Sequence, residues 1–293
     1  MSGSRLRRDV GCAQLVAYGL VFIGPAAAVG VFGTLDARSG GVVPVVYLLA
    51  TLAMALTAAS YAAMSAAVPS AGSVFAYASA GIGRRTGHMG GWMVLLDYLL
   101  IPSVAYLFTG IALHSVFPAI PVWVYVAAAV AITTALNLAG VSVTAKVSMV
   151  VVIVEVAVLL VVLIAAVGVL ITHGPVRGWL DPLTGGSGGF HPHLVLGAVS
   201  IAVLSYLGFD ALATFAEETK GSSRVIGRAT LVCLVVAGVL FMAQTYIGAL
   251  LSPLSTHELQ ADPSLQGDAY YRMVDEQISP VLHTALALSL IHI

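Results

Sequence analysis

Charge is what this sequence has least of. Only 9% of its 293 residues are Asp, Glu, Lys or Arg, where a water-soluble domain carries about 25%. So few charges cannot cover the surface of a water-soluble chain this long. With 59% hydrophobic residues and a mean hydropathy of +1.01, the class is integral membrane protein. A net charge of −1 without a basic stripe argues against a nucleic-acid partner. Cysteine is scarce too: Cys12 and Cys233 both sit in apolar context and read as small buried thiols. The chain has no Walker A motif, no H-E-x-x-H and no G-x-S-x-G, so nothing points to enzyme chemistry or a cofactor. His191-Pro192-His193 has no third ligand nearby and reads as a helix start rather than a metal site.

What is abundant is long apolar runs. A helix needs about 20 apolar residues to cross the hydrocarbon core. Seven segments qualify, 13–36, 42–68, 88–114, 121–140, 144–171, 193–219 and 225–251, and an eighth begins near Ile278. The piece 71–83 is too small to cross and is predicted to form a short surface helix. Ser4-Arg5-Leu6-Arg7-Arg8 before an apolar run superficially matches a secretory signal, but the run is too long and further apolar segments follow, so it reads as an uncleaved first span. With the N-terminus in the cytoplasm, nine Lys and Arg residues fall inside and three (Arg38, Arg177 and Arg272) outside, which fixes the orientation.

Two spans carry helix breakers. The first holds Ile23-Gly24-Pro25-Ala26-Ala27-Ala28-Val29-Gly30-Val31-Phe32-Gly33. Proline removes a backbone donor and glycine weakens a helix interior, so these residues predict an interruption near mid-helix. The sixth holds Tyr206-Leu207-Gly208-Phe209-Asp210. A carboxylate there is costly against lipid, and an unwound segment facing a polar cavity relieves that cost. Transporters with inverted repeats place broken helices at matching positions in their two halves, and spans one and six are five helices apart.

These residues resemble the amino acid–polyamine–organocation family of permeases. FIGPAAAVGVFG is similar to the broken first helix, PSAGSVFAYAS to the turn after the second, GGWMVLLDYLLIP to the third helix, NLAG at 137–140 to the turn between the fourth and fifth, and YLGFDALATFAEETK with IGRA to the sixth helix and the entry to the seventh. The resemblance implies an all-α integral membrane protein with a LeuT-like inverted-repeat transporter fold, here incomplete: helices 1–7 and the start of 8. It implies secondary transport of an amino acid or small amine across the plasma membrane, with protons, or alternatively sodium, as the coupling ion. A putrescine importer is the alternative substrate reading. The alternatives of another class are a fragment without transport activity and an integral-membrane enzyme.

By the same resemblance, the substrate's carboxylate would sit on freed N–H groups of Ile23, Gly24, Ala27, Ala28 and Gly30. Its ammonium would sit near Tyr206, Leu207, Gly208, Phe209 and Asp210, with Phe209 as a gate. The family's middle glycine is replaced by Ala28, which narrows the approach to the backbone and leaves a diamine substrate open. Asp97, Glu155 and Asp210 are the acids within spans. At about 1.5 Å per residue they lie roughly 13, 16 and 13 Å from the cytoplasmic ends of their helices. Glu155 is the leading proton-carrier candidate, and Asp97 reads as a second proton-coupling candidate or a structural carboxyl. Glu217-Glu218-Thr219-Lys220 with Arg224 and Arg228 is predicted to form a solvated ion-pair network. The last six residues, LSLIHI at 288–293, match an in-frame translated transposase adapter. They read as a non-natural tail on a truncated permease domain at 1–287.

Overall fold

A computed structural model describes residues 12–68, 72–212 and 224–289. The ordered elements are α1 (Cys12–Ile23), α2 (Ala27–Ser39), α3 (Val43–Ala67), α4 (Ser73–Gly81), α5 (Arg84–Val116), α6 (Val122–Ala139) and α7 (Val141–His173). They continue with α8 (Asp181–Thr184), α9 (Pro192–Ala202), α10 (Arg224–Leu251), α11 (Thr256–Ala261), α12 (Ala269–Gln277) and α13 (Pro280–Ser289). Among the described residues there is no strand.

The spans expected from the apolar runs are present. Among the described residues six helices are long and apolar enough to cross a membrane, and α1 with α2, bent by 47° at a short break, makes a seventh when the pair is taken as one span. Such helices form because every backbone N–H and C=O must be satisfied within the segment when water is excluded. α5 carries Pro102 in its interior. It also exposes Trp92, Met93, Leu99 and Leu100, an apolar surface that lipid would cover. The short helix expected over 71–83 is α4, and Pro192 opens α9 at its first turn, where a missing N–H costs nothing.

The chain divides into two compact units. One comprises Met1–Ile23, Thr51–Ile101 and Tyr206–Gly238; the other comprises Gly24–Ala50, Pro102–Ser205 and Val239–Ile293. Two of the boundaries fall at the interruptions of the first and sixth spans.

In the second unit α2 packs along α9, and the short helices α11 and α12 dock on α2. The dock is polar at its centre. Asp36 is fully buried, and it accepts from Arg177 Nη1 at 2.7 Å and from Thr256 Oγ1 at 2.6 Å. Arg177 Nη2 also donates to the Leu254 carbonyl at 2.6 Å, and Gln260 Nε2 to the Ala37 carbonyl at 2.9 Å. α11 starts with a capping box, in which the Ser255 hydroxyl accepts the Glu258 N–H and Glu258 accepts the Ser255 N–H.

Candidate functional site

The first interruption is set by sequence at 24–26. Pro25 has no N–H and its ring crowds the preceding turn. Gly24, just before it, takes φ +75°, a left-handed geometry that glycine adopts without a steric penalty. Helix resumes at once: the Ala27 N–H donates to Gly24 O at 3.0 Å and the Val29 N–H to Ala26 O at 2.9 Å. The peptide joining Pro25 to Ala26 is then left for side chains. Its N–H donates to Glu155 Oε1 at 2.9 Å, and its carbonyl accepts from Gln244 Nε2 at 2.8 Å. Glu155 of α7 and Gln244 of α10 are both fully buried. Tyr271 of α12 lies within electrostatic reach of Glu155; burial first, and that carboxyl second, push its phenol above the ordinary range.

Two of the expected helix breakers do something else. Gly30 and Gly33 lie inside α2 and interrupt nothing. Gly30 faces the Phe108 ring, where an added Cβ would come within 3.2 Å, and Gly33 lets the Gln266 carbonyl approach the helix. These glycines serve close packing within the second unit. Ala28 is buried in the first turn of α2. Of the N–H groups assigned to a substrate carboxylate, that of Ala27 is taken by Gly24 O.

The sixth interruption is longer. α9 gives way at Val203–Tyr206 to a 3-10 turn, Leu207 and Gly208 form a turn, and a further 3-10 stretch covers 209–212. Gly208 has φ +96°, and a Cβ built there would lie 2.6 Å from the Phe22 carbonyl oxygen at the end of α1. In the first unit, therefore, the backbones of the first and sixth spans touch where both lose helical form. The second span steadies the turns with hydroxyls one helical turn apart. Tyr47 Oη pairs with Ser205 Oγ at 2.8 Å, and Thr51 Oγ1 with Tyr206 Oη at 2.6 Å.

Beyond Gly208, the Phe209 ring packs against Tyr61 at 5.6 Å between centroids, and the Tyr98 hydroxyl donates to Asp210 Oδ2 at 3.2 Å. Asp97 lies within electrostatic reach of Asp210 and Tyr61. Tyr61, Phe209, Asp210, Ile226 and Thr230 line a crevice too tight to hold a water molecule.

Placement of the remaining candidates is mixed. Tyr206 is fully buried with its hydroxyl on Thr51; Ile23 closes α1, and Leu207 is half-buried in the turn. Asp97 and Asp210 belong to the first unit, Glu155 to the second. Residues 213–223, with Glu217, Glu218, Thr219 and Lys220 of the expected ion-pair network, lie outside the described residues, as do 290–293 of the expected tail. Cys233 is buried and Cys12 half-buried, both as free thiols. Among the described residues no three His, Cys, Asp or Glu side chains gather in a metal-holding group.

The residues sequence reading missed are Gln244, Tyr47, Thr51 and Tyr98. A signal existed for Gln244, the one carboxamide in the run 225–251. The hydroxyls carry none, because Tyr and Thr are ordinary in membrane helices.

Comparison with known proteins bears on this geometry. The low-affinity putrescine importer PlaP of Escherichia coli K12 is 34% identical over 248 residues, covering 85% of this chain and 55% of the importer. A probable GABA permease of Pseudomonas aeruginosa is 26% identical over 87% of this chain and 53% of its own length. The branched-chain amino acid permease BcaP of Lactococcus lactis is 25% identical over 84% and 57%. The chain thus spans a little over half the length of these curated relatives, all of them named as transporters rather than enzymes. The family model for amino acid permeases matches residues 14–287, and the chain, a multi-pass membrane protein, belongs to that family.

Proposed function

We propose that this chain forms the broken-helix part of a secondary transporter that imports an amino acid or small amine across the plasma membrane, with its N-terminus in the cytoplasm. The observation that carries the reading is the pair of interruptions in the first and sixth spans, at 24–26 and 203–212. Interrupted helices leave main-chain groups that a polar solute can use without solvating a whole channel. Ile23, Gly24, Ala27, Ala28 and Gly30 are the proposed contacts at the first, and Tyr206, Leu207, Gly208, Phe209 and Asp210 those at the second. Uptake of labelled amino acids and diamines into proteoliposomes tests the reading; vesicles that accumulate neither class contradict it.

Glu155 is the proposed proton carrier, with Asp97 as a second proton-coupling group. Glu155 accepts from the Ala26 N–H, so gain or loss of its proton acts directly on the interruption. Glu155→Gln keeps an acceptor there but cannot titrate. It is expected to retain substrate binding while losing uptake driven by a pH gradient; full pH-driven uptake by this variant would remove the role.

A second reading is favoured by the same bond. A helix N-terminus attracts anions, and at α2 the carboxyl of Glu155 already holds the first N–H. With Ala28 in place of glycine, little room is left for a substrate carboxylate, which favours a diamine such as putrescine. Competition between putrescine and α-amino acids for uptake decides it: displacement by every α-amino acid and not by diamines overturns this second reading.

A further inference from the structure

One side chain at the first interruption has an unused half. Gln244 Nε2 donates to the Pro25 carbonyl at 2.8 Å. A carbonyl can only accept, so the prong facing it is the nitrogen and the other is Oε1. That oxygen is buried and accepts no hydrogen bond in the structure. The same peptide is held at its N–H end by Glu155, 2.9 Å away. The peptide is therefore gripped at its two opposite ends, and the group left over on Gln244 is an acceptor. Buried amide oxygens are nearly always paired. A buried, unpaired amide oxygen beside an opened backbone fits an N–H donor such as an ammonium brings.

We propose that Gln244 is a positioning and specificity residue: its Oε1 accepts an N–H from the substrate's ammonium group while its Nε2 keeps the Pro25–Ala26 peptide in place. The inference rests on the transport reading and deepens it. It holds for an amino acid and for a diamine alike, since both present an ammonium.

The test is equilibrium binding to the chain in lipid nanodiscs, using putrescine and GABA alongside counterparts trimethylated at every amine nitrogen, which keep the positive charge and lose the N–H donors. The wild-type chain is expected to prefer each primary ammonium by about tenfold or more, the size of a hydrogen bond to a charged group. Gln244→Met should weaken the primary forms by about tenfold and leave the trimethylated forms within about twofold. Gln244→Asn keeps the amide, drawn back by one methylene, and guards against a folding defect in the apolar variant; it should narrow the preference in the same direction. Equal weakening of both ligand forms would mean that Gln244 only supports the backbone, and unchanged binding would mean that it does nothing for the ligand; either overturns the proposal. A wild-type chain that binds none of the probes overturns the transport reading itself, a result separable from both.

Discussion

At the first interruption three residues leave helical geometry, and a carboxyl from α7 and a carboxamide from α10 take up the exposed peptide. At the sixth, the chain runs through two 3-10 stretches across 203–212, and the help comes from hydroxyls of the second span. The first is a local event written in a Gly-Pro pair and then locked by distant side chains. The second is a gradual loosening of the helix around one glycine that has no room for a Cβ. The first break is tied directly to a titratable side chain, whereas at the sixth the hydroxyl pairs of Tyr47 and Thr51 stand beside the carboxyl of Asp210.

This contrast can be broken experimentally, and the largest effect belongs to the anchor that only the first span has among the described residues. Arg177→Met leaves the fully buried Asp36 without its cation, and losing one partner of a buried ion pair costs about 3–5 kcal/mol. A fall in the detergent thermal midpoint of about 10 °C is expected. Gly208→Ala comes next, at about 3 kcal/mol, because the left-handed backbone and the Phe22 carbonyl both oppose a Cβ. Gly24→Ala meets the backbone penalty, about 1 kcal/mol, so the two thermal scans should separate clearly.

Side-chain deletions sharpen the comparison further. Glu155→Leu strands the buried Ala26 N–H and should cost about 1–3 kcal/mol, whereas Thr51→Val at the sixth interruption removes a hydroxyl pair worth about 1 kcal/mol. Denaturation of the two variants in matched detergent measures the difference. The smallest effect lies in the cap of α11. Hydrogen bonds from the Ser255 hydroxyl and N–H hold the Glu258 carboxyl below its ordinary range. A depressed folded pKa adds stability above the ordinary carboxylate pKa and loses it as pH falls through the depressed value. Ser255→Ala should therefore shift the midpoint by no more than about 2 °C near neutral pH, and by less in acid.

Much of this was legible in the sequence, and the limits follow from range. The spans appear as apolar runs because each is a local pattern, and α4 and the start of α9 are equally local. Both interruptions are visible as breakers inside such runs. The division of labour among the glycines is not: Gly24 turns the chain, whereas Gly30 and Gly33 receive Phe108 and Gln266, partners far along the chain. The same holds for the locks. Gln244 and Pro25 are 219 positions apart, and Arg177 and Asp36 are 141 apart. No periodicity in a single sequence joins such pairs.

The most direct measurement is amide hydrogen exchange over 22–30 and 205–212, with and without a saturating transported solute. Slowed exchange in both segments together, with the flanking helices unchanged, is the predicted result. Protection that appears in neither segment, or only elsewhere in the chain, would contradict the claim that the two interruptions hold the solute.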